Sequence, residues 1–141
     1  MDNLGIDLYA GGDIARYPHL FPPPGFTPFV RTGGPITVPA VAGTTVLDSI
    51  QITSNMEGWV RQIGLEAGDF SIISFRIQND GAPLRDYTNI SVPLGNVATP
   101  INVFIPISVN VPLQLLVIST GVAPVPVRYV MTGWYYEAKR G

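Results

Sequence analysis

From residue 35 onward apolar and polar residues alternate with a period of two, and turn-forming clusters recur about every 8–12 residues, the pattern of short β-strands. Residues 45–53 place Val46, Ile50 and Ile52 on one face against Ser49, Gln51 and Thr53. Residues 59–65 group Trp59, Ile63 and Leu65, and the turn Glu66-Ala67-Gly68-Asp69 follows. In residues 70–78, Ile73, Phe75 and Ile77 oppose Ser74, Arg76 and Gln78. The adjacent Ile72-Ile73 breaks that alternation, which means a bulge or a strand buried on both faces. After the turn at Asn79-Asp80-Gly81-Ala82-Pro83 comes a weaker edge strand over 84–92, closed by Pro93-Leu94-Gly95-Asn96. Residues 101–111 alternate most cleanly, with Ile101, Val103, Ile105, Ile107, Val109 and Val111 against Asn102, Phe104, Pro106, Ser108 and Asn110. Pro106 in mid-run predicts an edge strand or one that bends between sheets. Residues 113–120 are apolar on both faces, as in a central strand, and the last strand covers 127–137.

No useful helical periodicity follows residue 35. Seven or eight strands joined by Gly/Pro-rich turns predict an all-β antiparallel β-sandwich; a jelly roll fits best, and an immunoglobulin-like sandwich is the runner-up. The preceding residues read differently. Seven of the 14 prolines lie between residues 18 and 39, in and after Tyr17-Pro18-His19-Leu20-Phe21-Pro22-Pro23-Pro24-Gly25-Phe26-Thr27-Pro28-Phe29. Proline fixes φ and lacks an N–H, so this stretch is neither a helix nor a central strand. It is also too aromatic for a solvated linker. The reading is an extended N-terminal arm over 1–34, its first ten residues compatible with a short turn or helix. The junction at Gly33-Gly34-Pro35 leads into a β-sandwich domain over 35–141. Tyr17, His19, Leu20, Phe21, Phe26 and Phe29 are the candidate partner-binding residues of the arm.

Composition sharpens this picture. Only 13% of the 141 residues are charged, about half the usual share. So little charge predicts that part of the surface is buried in an oligomer or assembly. The net charge of −2, the single Lys139 and seven scattered arginines argue against nucleic-acid binding. No apolar run approaches the roughly 20 residues of a membrane helix. No basic stretch followed by an apolar one marks a secretory signal at the N-terminus. The absence of cysteine excludes disulfides, thiolate metal sites and a cysteine nucleophile.

Candidate chemistry is sparse. The one histidine, His19, lies in the arm without a rigid scaffold to hold a general base. One histidine also falls short of the clustered set that a cupin-like metal site needs. Most of the acids sit in or beside turns. Asp48 alone occupies an otherwise apolar strand face, where a hydrogen-bonded structural acid is the ordinary finding. No facing carboxylate pair, phosphate loop or calcium loop is evident, so neither an enzyme nor a cofactor is expected. Asn89-Ile90-Ser91 matches the glycosylation sequon, a pattern common by chance. Trp59, Trp134, Tyr135 and Tyr136 could serve an interface or a sugar-binding platform. On a strand Trp134 and Tyr136 point away from Tyr135, which favours core or subunit interface for at least one of them.

The proline- and aromatic-rich arm, the Gly33-Gly34 junction, Phe70-Ser71-Ile72-Ile73-Ser74-Phe75-Arg76-Ile77-Gln78-Asn79-Asp80-Gly81-Ala82-Pro83 and Thr132-Gly133-Trp134-Tyr135-Tyr136 together resemble the layout of small jelly-roll structural proteins of tailed-bacteriophage virions, in particular capsid decoration (cement) proteins. The resemblance implies a homotrimer on the capsid surface, made in the host cytoplasm, that bridges neighbouring major capsid protein subunits of an icosahedral shell. It brings no catalytic residues, cofactor or metal. The alternative expectation is a carbohydrate- or receptor-binding β-sandwich of a phage head fibre or tail tip.

Overall fold

Alternation of apolar and polar side chains builds two four-stranded antiparallel sheets that close on one core. The computed structural model describes residues 25–53, 55–79 and 82–137. Its strands are β1 (Thr27–Val38), β2 (Gly43–Ile50), β3 (Met56–Ala67), β4 (Ile73–Asn79), β5 (Ala82–Pro83), β6 (Ile101–Ile107), β7 (Leu113–Ser119) and β8 (Val125–Glu137). One sheet has the order β1-β8-β3-β6 and the other β2-β7-β4-β5. The pairings are nested: β1 with β8, β2 with β7, β3 with β6 and β4 with β5. The all-β sandwich expected from the sequence is therefore present.

Inward side chains of both sheets form the core. Val60, Ile63, Leu65, Phe75, Leu115 and Val117 are fully excluded from solvent. The expected strand at 113–120 is central, since β7 lies between β2 and β4, and it is buried along most of its length. Pro106 lies in an edge strand, as one of its two readings required. Ile72 falls in the turn before β4, so neither a bulge nor two-sided burial is needed to explain it.

Four expectations change. The strand expected over 84–92 is a single 3-10 turn at Arg85–Tyr87 followed by one antiparallel bridge from Ile90 to Phe75. The run expected over 101–111 ends as a strand at Ile107; beyond it only Val109 bridges, in parallel, to Ile52. Register shifts in β2 between Val46 and Asp48, and in β3 between Val60 and Gln62, each send the following residues to the opposite face. Val46 is thus 48% exposed while Ile50 is buried, and Trp59 faces outward while Ile63 and Leu65 face the core. Finally, β1 runs straight through the junction placed at residues 34 and 35, pairing with β8 from Thr27 to Val38 around an irregularity between Gly33 and Ile36. An edge strand hydrogen-bonds to one neighbour only, so it accommodates Pro28 and Pro35 where a central strand would not. Residues 27–34 belong to the sandwich; residues 1–24 lie outside the described residues.

The corner where edge strands β1 and β2 meet is tied by polar groups. Arg31 of β1 donates from Nη2 to Asp48 Oδ1 at 2.5 Å and from Nε to Oδ2 at 3.2 Å. Its Nη2 also donates to the carbonyl of Ser49 at 3.2 Å. Tyr129 of β8 donates its hydroxyl to Asp48 Oδ2 at 2.9 Å, and the Ser49 N–H donates to Oδ1 at 2.8 Å. Asp48 is accordingly the hydrogen-bonded structural acid that its place in the sequence suggested.

Candidate functional site

The two sheets differ on their outward faces. In an antiparallel sandwich the solvent side is ordinarily polar. The β2-β7-β4-β5 sheet follows that rule in large part, presenting Thr44, Ser74, Arg76, Gln78 and Gln114, with Gln78 Nε2 donating to Gln114 Oε1 at 2.9 Å. The other sheet departs from it at one end. Trp59 lies directly across from Trp134 on one side and Pro106 on the other, and Trp134 is opposite Pro28. These positions share the outward face, because the intervening Val60, Ile105 and Ile107 point into the core.

The rings on this face touch. Trp59 and Phe104 lie nearly parallel, 18° apart with centroids at 6.1 Å. Phe26 packs against Trp59 at 5.7 Å and Tyr136 at 4.6 Å. The Arg61 guanidinium lies 5.5 Å from the Phe104 centroid and 5.7 Å from that of Trp134, within reach of a cation–π attraction. The bulge in β3 sets Arg61 and Gln62 together on this side. Burial lowers the Arg61 pKa, yet a guanidinium keeps its charge across the physiological range. Tyr136 donates a hydrogen bond to Glu57, which raises the phenol's pKa. Beside the rings a polar belt crosses the sheet, with Thr132 Oγ1 donating to Gln62 Oε1 at 3.2 Å and Gln62 Nε2 to Asn102 Oδ1 at 3.3 Å. Phe104 at 50% and Val30 at 66% remain exposed.

Of the candidate residues, Phe26, Trp59, Trp134 and Tyr136 are gathered on this face. Trp134 is only 4% exposed, so its ring is part of the packing and offers no platform. Tyr135 faces the opposite way, as the parity of the strand required. With Phe29, Arg31, Ile50, Ile52 and Met56 it lines an open cleft of about 250 Å³ between the sheets. Phe29, expected in the arm, is a residue of β1 packed against the core. Its neighbour in register is Gly133, where a Cβ would strike the Trp59 carbonyl and the Phe29 ring. Tyr17, His19, Leu20 and Phe21 lie outside the described residues.

Phe104, Pro106, Val30 and Arg61 were missed. The available signal was the run at 101–111, whose supposedly polar side holds Phe104 and Pro106. A strand with apolar residues on both sides at an edge marks a covered outer face. Nothing local distinguishes Arg61, because its placement comes from the bulge. Replacing Phe104 with serine should change stability by no more than about 1 kcal/mol, since half of the ring is already in water. Thermal unfolding of the chain from Gly25 onward checks this, and a larger loss there would make Phe104 a core residue. Among the described residues no group of three or more His, Cys, Asp or Glu is placed to hold a metal ion. Compared with known protein families and with curated proteins, the chain matches none.

Proposed function

We propose that this protein is a structural virion component that decorates and stabilises an icosahedral phage capsid by bridging major capsid protein subunits, as a homotrimer. The observation that carries the reading is the outward face of the β1-β8-β3-β6 sheet, where rings and prolines stand in positions that a free-standing sandwich gives to polar residues. A face of this kind favours burial against a protein neighbour. The nested strand pairing supports a jelly-roll body, the architecture of many capsid proteins. The proline-rich sequence ahead of Gly25 adds stiff apolar anchors, which lose less entropy on docking than a flexible tail does. Three such arms per trimer would add avidity without a new type of contact.

The test is attachment to the shell. A truncation must begin at Gly25, because one that began at residue 35 would remove most of β1 with the arm. Arm-less protein added to undecorated capsids should occupy them far less than the full chain, while its circular dichroism stays that of a β-protein. Equal occupancy would sink the proposal.

The second reading, a carbohydrate- or receptor-binding module, draws on Trp59, Phe104 and Tyr136, whose rings retain exposed surface. A glycan array separates the two when Phe104→Ser is the control, since that change removes an outer ring without touching the core.

A further inference from the structure

We infer that the outward aromatic face is a docking surface for an extended proline-rich segment, and that in the isolated protein its occupant is the chain's own residues 17–24. The inference does not rest on the capsid reading. Three observations lead to it. The first is continuity: the described chain begins at Gly25, and the next residue, Phe26, is already seated between Trp59 and Tyr136. Residues 17–24 therefore start at the margin of the surface they would cover. Gly25 has a φ of +88°, a left-handed turn that a glycine adopts freely. A straight extension of β1 beyond the sheet's end is thus not required.

The second is chemistry. Grooves lined by aromatic rings recognise proline-rich chains, because a preformed polyproline helix loses little entropy and its rings pack flat on indole and phenol faces. The two charged side chains at the patch are engaged, Arg61 over the Phe104 and Trp134 rings and Glu57 with Tyr136. An occupant without charge suits such a surface. Residues 17–24, Tyr-Pro-His-Leu-Phe-Pro-Pro-Pro, contain no acid, lysine or arginine.

The third is length. From β1 to β6 is three strand spacings, about 14 Å. Five residues in polyproline form reach about 15 Å, which brings Leu20 over Phe104 and Pro106 on β6. The short tether gives the chain's own segment an effective concentration that a separate molecule reaches only at high concentration.

The chain has no cysteine, so paired cysteines report proximity without background. In the full-length protein, Leu20→Cys with Asn102→Cys puts one thiol in the segment and one on the outward side of β6. Leu20→Cys with Thr44→Cys is the control, its second thiol on the outward side of the other sheet. With a short bis-maleimide linker, the first pair should give mostly intrachain product at every protein concentration, and the control little. Three results overturn the inference: product mainly between chains, which would make a second copy the occupant; equal yields from both pairs; or no product from either. A cysteine-free measurement stands beside it. Changing Tyr17, Leu20 and Phe21 together to serine should shift tryptophan emission to the red as Trp59 gains water, and unchanged emission counts against the inference. Both readouts use isolated protein, so they fail or succeed independently of capsid occupancy.

Discussion

Trp134→Ala is expected to cost about 3–5 kcal/mol of folding stability, the range for deleting a buried aromatic ring. Although Trp134 points to the outside of its sheet, its ring is 4% exposed. It lies under the Arg61 guanidinium, across from Trp59 and beside Pro28. β8 is an interior strand between β1 and β3, so collapse around the lost ring is restricted from both sides. Removing it also takes one of two rings from Arg61. Urea unfolding followed by far-ultraviolet circular dichroism measures the loss. A ligand platform behaves in the opposite way, with stability kept and binding lost. A cost below about 1 kcal/mol would return Trp134 to that role. The contrast with Phe104→Ser is itself informative: two rings about one cation, one within the packing and one at the surface, should differ severalfold in cost.

That contrast indicates where sequence patterns suffice. Strand β4 was legible because burial follows parity there: Ile73, Phe75 and Ile77 are all core, with no irregularity to break the count. Strand β7 was legible because it is apolar on both faces and buried along most of its length. Trp59 and Val46 were misassigned for one shared reason. A bulge adds a single residue to one strand, leaving no reliable mark in composition, yet it inverts every face beyond it. The start of the sandwich was missed for a different reason. Pro28, Gly33, Gly34 and Pro35 each argue against a strand, and an edge position relaxes that argument without appearing in the sequence. The aromatic face was half legible. Its residues could be named singly, Trp59, Trp134 and Tyr136 among them. Their meeting depends on which strands are neighbours: Phe26 and Trp59 are 33 positions apart, and Trp59 and Phe104 are 45 apart.

Asp48→Ala should destabilise the protein by about 2–3 kcal/mol at neutral pH, and the cost should shrink in acid. The change leaves the hydroxyl of the buried Tyr129 only the Leu47 carbonyl, 3.5 Å away, in place of the Asp48 carboxylate at 2.9 Å, a loss of about 1–3 kcal/mol. It also removes Arg31's partner, whose contribution is smaller because Arg31 is 45% exposed and can be hydrated. Burial by itself would raise the Asp48 pKa. Hydrogen bonds from Arg31, Tyr129 and the Ser49 N–H outweigh burial and hold the carboxyl below its ordinary value. A depressed native pKa means that the stabilisation is complete above the unfolded-state value, about 3.9, and is lost as pH falls through the native one. Tyr129 sets the alkaline side: burial, then its bond to Asp48, pushes it up to about 12. A raised native pKa keeps its contribution whole below the unfolded value, about 10, and loses it as pH climbs towards 12. Denaturant unfolding of the wild type and Asp48→Ala between pH 2 and pH 7 should give curves that converge below about pH 4. Parallel curves would show that Asp48 is not the group whose titration matters. Because Arg31, Asp48 and Tyr129 belong to β1, β2 and β8, acid should loosen first the corner where the two sheets meet at β1. The same strand starts beside Phe26, so stability at that corner and coverage of the aromatic face share one element.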